Sequence, residues 1–529
     1  MSTLTHALEA LATYCKDNQS LSGVTFHRGV EREALRVKKD TGRISHEPHP
    51  SSLGSALTHN SITTDYSESL MEFITGVHPS VEGVTDELES IHQVVQHELA
   101  KQNESLWPSS MPCYLSGNED VPIAYYGESN TGKLKRVYRE GLSNRYGRIM
   151  QCIAGMHYNF SFDSEFWQFF EAYKDKHGLS PQQKQDFQSD HYFALIRNFR
   201  RNSWVLSLLF GASPAVDQSF LTNKPATLDT LQDHTWFGSQ ATSLRMSDLG
   251  YQNKAQADLY VCYNEVGTYI STIKKALQTP YPAYQDIGTK VDGEYRQLNT
   301  NLLQIENEYY SDIRPKRVAK SGEHPSTALK ERGIEYIEVR IMDLDPSSPI
   351  GMQASTLYFI DTFLLYCMLH SDKKLSSEEC HQLRLTQQDI AEHGQDLARE
   401  FNFGQGPIAL RSQTERLLTE LAEVAEVLSK LTGNPAYKEA VALQSKKLTD
   451  GSLPSASLLN LCQEKGGYQT AMLALSNQQQ DKWLSKPISD DLLSRFADKA
   501  KRSLAEQKEI EAHDEINFDD FLNHYLKQQ

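Results

Sequence analysis

The chain has 529 residues, of which 39% are hydrophobic and 23% charged, so it can bury a core and is not a wholly disordered polymer. At ~150 residues per domain, that length suggests two or three lobes or one large domain with additions. Fifty-three basic residues against 69 acidic ones give a net charge of −16, which argues against nucleic acid or anionic membrane as a bulk partner. The same excess leaves carboxylates available to hard cations.

In chain order, the first 19 residues have no basic start and no long apolar core, so they do not read as a secretion signal. The seven cysteines are scattered at 15, 113, 152, 262, 367, 380 and 462, with no C-x-x-C pair. That pattern suggests reduced thiols and a cytoplasmic protein, with a Cys367–Cys380 disulfide left open. GVERE (29–33), if extended, puts Glu31 and Glu33 on one face. TTDYS reads as a turn carrying Asp65, and in SLMEFIT (69–75) Leu70, Glu72 and Ile74 alternate with Met71, Phe73 and Thr75. Val84, Leu88, Ile91, Val95 and Leu99 then fit one face of an amphipathic helix.

Gly127 to Lys133 matches G-x-x-x-x-G-K, but Leu134 follows where a metal-binding hydroxyl is needed and Glu128 lies inside the loop, so it reads as a chance match. Any ATP site must therefore lack a P-loop. Lysines and arginines gather over 133–148 and again over 313–320. Such runs are ordinarily solvated faces paired with the surplus acids, and their functional reading is phosphate or carboxylate binding. GMHYNFSF (155–162) is the cleanest strand, with Met156, Tyr158, Phe160 and Phe162 on one side and His157, Asn159 and Ser161 on the other. Residues 190–211 read as one mostly buried helix ending at Gly211 and carrying Arg197, Arg200 and Arg201. In IEYIEVRI (334–341), Ile337, Val339 and Ile341 oppose Glu338 and Arg340.

Residues 1–351 hold 22 of the 29 glycines and 15 of the 19 prolines, so the chain divides there into a mixed region (1–351) and a mainly helical region (352–529). The most apolar run of the latter, Leu357 to Leu369, is too short to span a bilayer and contains Asp361, so it reads as a buried helix. Residues 413–431 form a second helix, with Leu417, Leu421, Val424 and Leu428 on one face, stopped by Gly433-Asn434-Pro435. The last 29 residues are charged, with Phe518, Phe521, Leu522 and Tyr525 as a docking stripe. The helical region reads as a cover with surface function at most.

A single glutamate on a strand usually faces solvent, and a lone histidine is more often structural than a ligand. The convergence is what matters here. If the alternating segments share an antiparallel sheet with one polar face on a cavity, that face collects Glu31, Glu33, Glu72, His157, Asn159, Glu338 and Arg340, with Asp65 at the rim. Packed carboxylates repel unless cations lie between them. An oxygen-rich set with one nitrogen suits Mg²⁺ or Mn²⁺ better than Zn²⁺, and such ions beside arginine suit phosphoryl chemistry.

These segments together resemble glutamate–cysteine ligase (γ-glutamylcysteine synthetase) of the bacterial type. The matching blocks include RGVEREALRV (28–37), LGSALTHNSITTDYSESLMEFIT (53–75), YGESNTGKLKRVYREGLSNRYG (126–147), GMHYNFSF (155–162), TSLRMSDLGYQNK (242–254), LQIENEYYSDIRPKR (303–317) and GIEYIEVRIMDLDPSSPIG (333–351). The resemblance implies an α+β, glutamine-synthetase-like fold whose curved antiparallel sheet forms a funnel for ATP and metal ions. It implies ATP-dependent joining of the L-glutamate γ-carboxylate to the L-cysteine amine through a γ-glutamyl phosphate, the first step of glutathione biosynthesis. Carried over by motif, the metal ligands are Glu31, Glu33, Asp65, Glu72, His157 and Glu338. Arg139 and Arg340 act on the transferring phosphoryl group, and Arg245 holds substrate carboxylate. Tyr138, Gln151, Tyr251 and Tyr310 form the cysteine side, where the register of IENE-x-Y favours Tyr310 over Tyr309. The expected ligands are ATP, Mg²⁺ (with Mn²⁺ possible), glutamate and cysteine, with no nucleic acid or membrane partner and a monomer favoured. Three alternatives stay open: a ligase for another amine, a metal-dependent phosphohydrolase, and a non-catalytic binding protein.

Overall fold

Every segment singled out for period-two alternation lies in one sheet. The computed structural model describes residues 3–18, 24–221, 228–250, 254–256, 259–320, 322–404 and 406–528. In it the sheet has seven strands: β1 (Phe26–Lys38), β2 (Ile62–Thr64), β3 (Leu70–Ile74), β4 (Glu104–Leu106), β5 (Met156–Phe162), β6 (Ile313–Lys316) and β7 (Tyr336–Met342). Their order is β6-β7-β5-β1-β3-β2, with β4 paired to the end of β1, and all pairs are antiparallel. The chain is thus a mixed protein of helices and antiparallel sheet.

The register decides which residues meet. Glu33 stands opposite Glu72 across β1 and β3, Glu31 opposite His157 across β1 and β5, and Asn159 opposite Glu338 across β5 and β7. Opposed residues share a face, so the polar half of each alternation falls on one side. The other half, including Val30, Tyr158, Phe160, Ile337 and Val339, is fully buried in the core.

That core face also holds charge that alternation alone does not display. Arg28, Arg32 and Arg36 lie on β1 out of phase with Glu31 and Glu33, and they are 2%, 1% and 0% exposed. Each has its own partner. Arg36 Nη1 donates to Glu104 Oε2 at 3.0 Å. Arg32 contacts His92 and donates to the Pro349 carbonyl at 3.1 Å, and with no carboxylate beside it, burial pulls its pKa down to about 9. Arg28 pairs with Asp361 at 2.6 Å.

The helices used below are α1 (Thr3–Asp17), α2 (Val81–Ala100), α3 (Asn130–Tyr146), α4 (Pro181–Asn202), α5 (Trp204–Phe210), α6 (Ala354–His370), α7 (Leu410–Thr432), α8 (Tyr468–Leu484), α9 (Asp490–Ala512) and α10 (Phe518–Lys527). The amphipathic expectations hold for α2 and α7, and α7 ends at Gly433 with φ of 69°, a left-handed cap that suits glycine. The single helix expected over 190–211 is instead two, α4 and α5, divided at Ser203. No proline or glycine marks that break; the Ser203 hydroxyl bonds Gln387 at 2.9 Å, a tertiary contact. All seven cysteines are free, including Cys367 and Cys380. Among the described residues no helix is long and apolar enough to cross a membrane.

The G-x-x-x-x-G-K stretch forms the start of α3. Ser129 caps it by accepting from the Gly132 N–H at 3.1 Å. The Glu128 and Asn130 N–H groups donate to Glu511 at 2.9 Å and Asp514 at 2.6 Å, so carboxylates near the C-terminus occupy the place a phosphate would take in a P-loop. Gly132 is required by packing, since a Cβ there would meet the Tyr126 carbonyl at 2.4 Å.

The Arg28–Asp361 pair ties the sheet to α6, and the Tyr158 hydroxyl also donates to Asp361. Asp361→Ala leaves a guanidinium buried without its counter-charge, which is expected to lower unfolding free energy by about 3–5 kcal/mol. Urea denaturation measures this; a loss under ~1 kcal/mol would show that the pair does not hold α6 to the sheet.

Candidate active site

The polar face of β1, β3, β5 and β7 forms one wall of a cavity of about 470 Å³. Helix α3 forms the opposite side. Thr131, Leu134, Lys135, Tyr138, Arg139 and Leu142 fall on one face of it at three- and four-residue spacings and line the cavity. Asp65 enters from the turn between β2 and β3, and Gln151 from the short turn Ile149–Cys152 ahead of β5.

The cluster on the sheet is tight. His157 Nδ1 is 3.2 Å from Glu31 Oε2 and 3.8 Å from Glu338 Oε1, while its Nε2 is 3.7 Å from Glu33 Oε1. Asn159 donates to Glu31 at 2.8 Å, and the Gly155 N–H donates to Glu33 at 2.6 Å. Glu31, Glu72 and His157 offer ligand atoms within 4.8 Å of one another, a spacing that fits one cation.

Charge compensation is lopsided across this face. Glu338 faces Lys316 at 3.3 Å and Arg340 at 3.2 Å, and these cations with His157 and Arg314 outweigh its burial and hold its carboxyl far below the usual range. Glu72 has no such neighbour. Burial first, then repulsion from Glu31, Asp65 and Glu33, pushes its pKa well above normal. Burial likewise raises Glu33. Burial, reinforced by Arg139 and opposed by Glu72 and Asp65, lowers Lys135 to about 8, so this lysine, which offsets Glu72, stays mostly charged at neutral pH. Among the described residues Glu338 has close ion pairs and Glu72 has none, so positive charge is thinner at the Glu72 end of the face.

Of the residues named from sequence, Glu31, Glu33, Asp65, Glu72, Tyr138, Arg139, Gln151, His157, Arg245, Tyr310, Glu338 and Arg340 all line this one cavity. Tyr251 lies outside the described residues. Arg139 Nε donates to the Asp65 carbonyl at 2.6 Å and its guanidinium lies 4.6 Å from the Tyr126 ring centre. Arg245 donates to the Arg340 and Ile341 carbonyls at 2.8 and 3.1 Å, which fixes it beside the bend where the β5–β7 register shifts. Tyr310 lines both this cavity and a neighbouring one that holds Arg200, whereas Tyr309 lines the neighbouring one and not this. Arg197 and Arg201 do not reach the site: Arg197 donates to the carbonyls of Tyr263, Asp372 and Lys373, and Arg201 pairs with Glu379.

Among the lining residues not identified from sequence are Lys135, Arg314, Lys316 and Tyr525. Lys135 was signalled by its spacing, one helical turn before Arg139, and Arg314 and Lys316 by their period-two placement in the basic run 313–320. Tyr525 was read only as part of a docking stripe, and it brings the helical region to the cavity.

The donor set fits Mg²⁺, being carboxylate-rich with one imidazole and short of positive charge at Glu72. Mg²⁺ is expected to raise the melting temperature, by an amount equivalent to ~2.7 kcal/mol at a hundredfold excess over Kd. The shift should grow as rising pH removes the proton from the raised Glu72 carboxyl, which must be lost for binding, and Glu72→Gln should remove most of it. Superimposable melting curves with and without Mg²⁺ would contradict a cation site here.

Comparison with known proteins shows the family. The family model described as glutamate-cysteine ligase matches residues 12–390. The glutamate–cysteine ligase of Pseudomonas paraeruginosa is 46% identical over 499 residues, covering 94% of this chain and 93% of that protein. The crystal structure of the Francisella tularensis glutamate–cysteine ligase in complex with AMP superimposes with a TM-score of 0.89 at 37% identity, covering 95% of this chain and 98% of that one. A bifunctional glutathione synthetase from Pasteurella multocida matches with a TM-score of 0.68 at 25% identity over 92% of this chain and 57% of its own. With a family model matched over most of its length and relatives this similar end to end, the chain belongs to the glutamate–cysteine ligase family.

Proposed function

We propose that this cavity is where the chain carries out the family reaction, the ATP-dependent ligation of the L-glutamate γ-carboxylate to the amine of L-cysteine that begins glutathione biosynthesis. The observation that carries the placement is the acidic sheet face, deficient in cations at Glu72, set opposite the arginine of α3.

A carboxylate is a poor electrophile. Its γ-oxygen therefore attacks the γ-phosphorus of ATP, the bond to ADP breaks, and the γ-glutamyl phosphate is attacked by the cysteine amine with loss of phosphate. Negative charge accumulates while the phosphoryl group transfers, and preorganised cations are what such a step needs. Glu31, Glu72 and His157 would hold one Mg²⁺ or Mn²⁺, and Glu33, Asp65 and Glu338 provide further oxygens. Such ions supply charge neutralisation and alignment of the ATP phosphates. Arg139, held by Asp65 and the Tyr126 ring, and Arg340, held by Glu338, reach the transferring phosphoryl group from opposite walls. Arg245, locked to backbone carbonyls, presents its charge to the substrate carboxylate. Tyr138, Gln151 and Tyr310 surround the cysteine.

The same reading makes the sheet the curved funnel of glutamine-synthetase-like enzymes, and residues 1–351 and 352–529 its catalytic and helical regions. It is supported by the single polar face turned to the cavity. Seven free cysteines, six of them buried, support a reducing cytoplasmic setting. AMP in the Francisella relative supports a nucleotide as ligand.

ADP release should require glutamate and cysteine together. Phosphate release without any amino acid would indicate a phosphohydrolase instead, and turnover with a different amine in place of cysteine would reassign the substrate. Glu338→Gln is expected to lower kcat by about 10²–10³-fold, since it frees Arg340 from its anchor in a site that works by fixed charge. Unchanged kcat would remove Glu338 and Arg340 from the reaction.

A further inference from the structure

We infer that Tyr525, on the C-terminal helix, is a binding residue for the purine base of ATP; the inference rests on the ligase reading of the cavity. The cavity joins three kinds of lining. The sheet wall carries the glutamates with Lys316 paired to Glu338, α3 brings Lys135 and Arg139, and Leu134, Leu298 and Ile305, which pack with the C-terminal helix, line it together with Tyr525. ATP has matching parts: phosphates that need cations, and a flat apolar base. With the phosphates at the acidic wall, the base falls among Leu134, Leu298, Ile305 and the ring of Tyr525. Aromatic rings are the side chains that hold a base by stacking.

Tyr525 is placed for this, not loosely draped. Leu522 is buried in a small cluster with Val137 and Leu298, against which Phe518, Leu526, Leu134 and Ile305 pack. Asp519 accepts from Lys290 at 3.1 Å and from the Tyr295 hydroxyl at 2.5 Å. Just before α10, Asp514 caps the Asn130 N–H, and the Ile516 carbonyl accepts from the Asn130 side chain at 2.8 Å. The Tyr525 ring then rests 4.7 Å from the buried His324 ring, centre to centre. The terminal arm is thus clamped to the helix that carries Tyr138 and Arg139, with one aromatic residue turned into the cavity.

The test compares Tyr525→Ala and Tyr525→Phe with the parent in the full-length protein. Tyr525→Ala should raise KM for ATP about tenfold and weaken AMP binding by calorimetry to the same degree. kcat and KM for glutamate should stay within twofold, and Tyr525→Phe should restore both values. Inhibition by Mg-tripolyphosphate, which has phosphates and no base, should be the same in all three. Unchanged KM for ATP, a parallel loss in every kinetic constant without rescue by phenylalanine, or equally weakened tripolyphosphate inhibition would each overturn the assignment. Because AMP binding is read without turnover, failure of the parent to ligate glutamate and cysteine would refute the ligase reading, leaving the base-binding result separately legible.

Discussion

Like charges cannot be packed side by side in a half-buried wall unless something opposes them, and this constraint organises the catalytic cavity. Glu31, Glu33, Glu72 and Glu338 project from neighbouring strands of one sheet around a single imidazole. Close ion pairs to these glutamates from lysine or arginine fall at one end. Glu338 sits between Lys316 and Arg340 and stays ionised, whereas Glu72 is surrounded by other acids and a lysine that burial has weakened. On the proposed function, a face built this way would favour a cation beside Glu72. Such an imbalance would let a strongly acidic chain bind ATP through cations.

Keeping that face in register requires the opposite face of the same sheet to be immobile. Here β1 carries three buried arginines, and each is met by a different part of the chain: Asp361 of α6, the Pro349 carbonyl with His92 of α2, and Glu104 of β4. Breaking one of these would leave an uncompensated charge in the core, so they specify how the C-terminal helices seat on the sheet. The carboxylates Glu511 and Asp514 then cap α3 from the far end of the chain. The helical region is therefore joined to the site twice, through the core and around its rim.

Much of this was legible in the linear pattern. His157 and Asn159 alternate with Tyr158 and Phe160, Glu338 with Val339, and Glu72 with Met71 and Phe73, so which residues face the cavity followed from the pleat. The helices of 81–100 and 410–432 followed from their apolar stripes. What escaped has a common cause. The break at Ser203, the burial of Arg28 on β1 and the approach of Tyr525 depend on partners 184, 333 and ~200 residues away in the chain, which no local period contains. Arg28, Arg32 and Arg36 would ordinarily be taken as solvent-facing, and only their carboxylate and carbonyl partners make burial tolerable.

By itself the sequence determined the strands, the faces of those strands and the chemical type of the site, because side-chain alternation and residue chemistry are local properties. It also carried enough long motifs to point to one family of ligases. Tertiary structure alone decided the strand order and register that set Glu31 against His157 and Glu33 against Glu72, the uneven supply of cations across that face, and the return of the C-terminal helix to the cavity. Those depend on distances between residues far apart in the chain, and Coulomb energies, desolvation and packing act through distance in space.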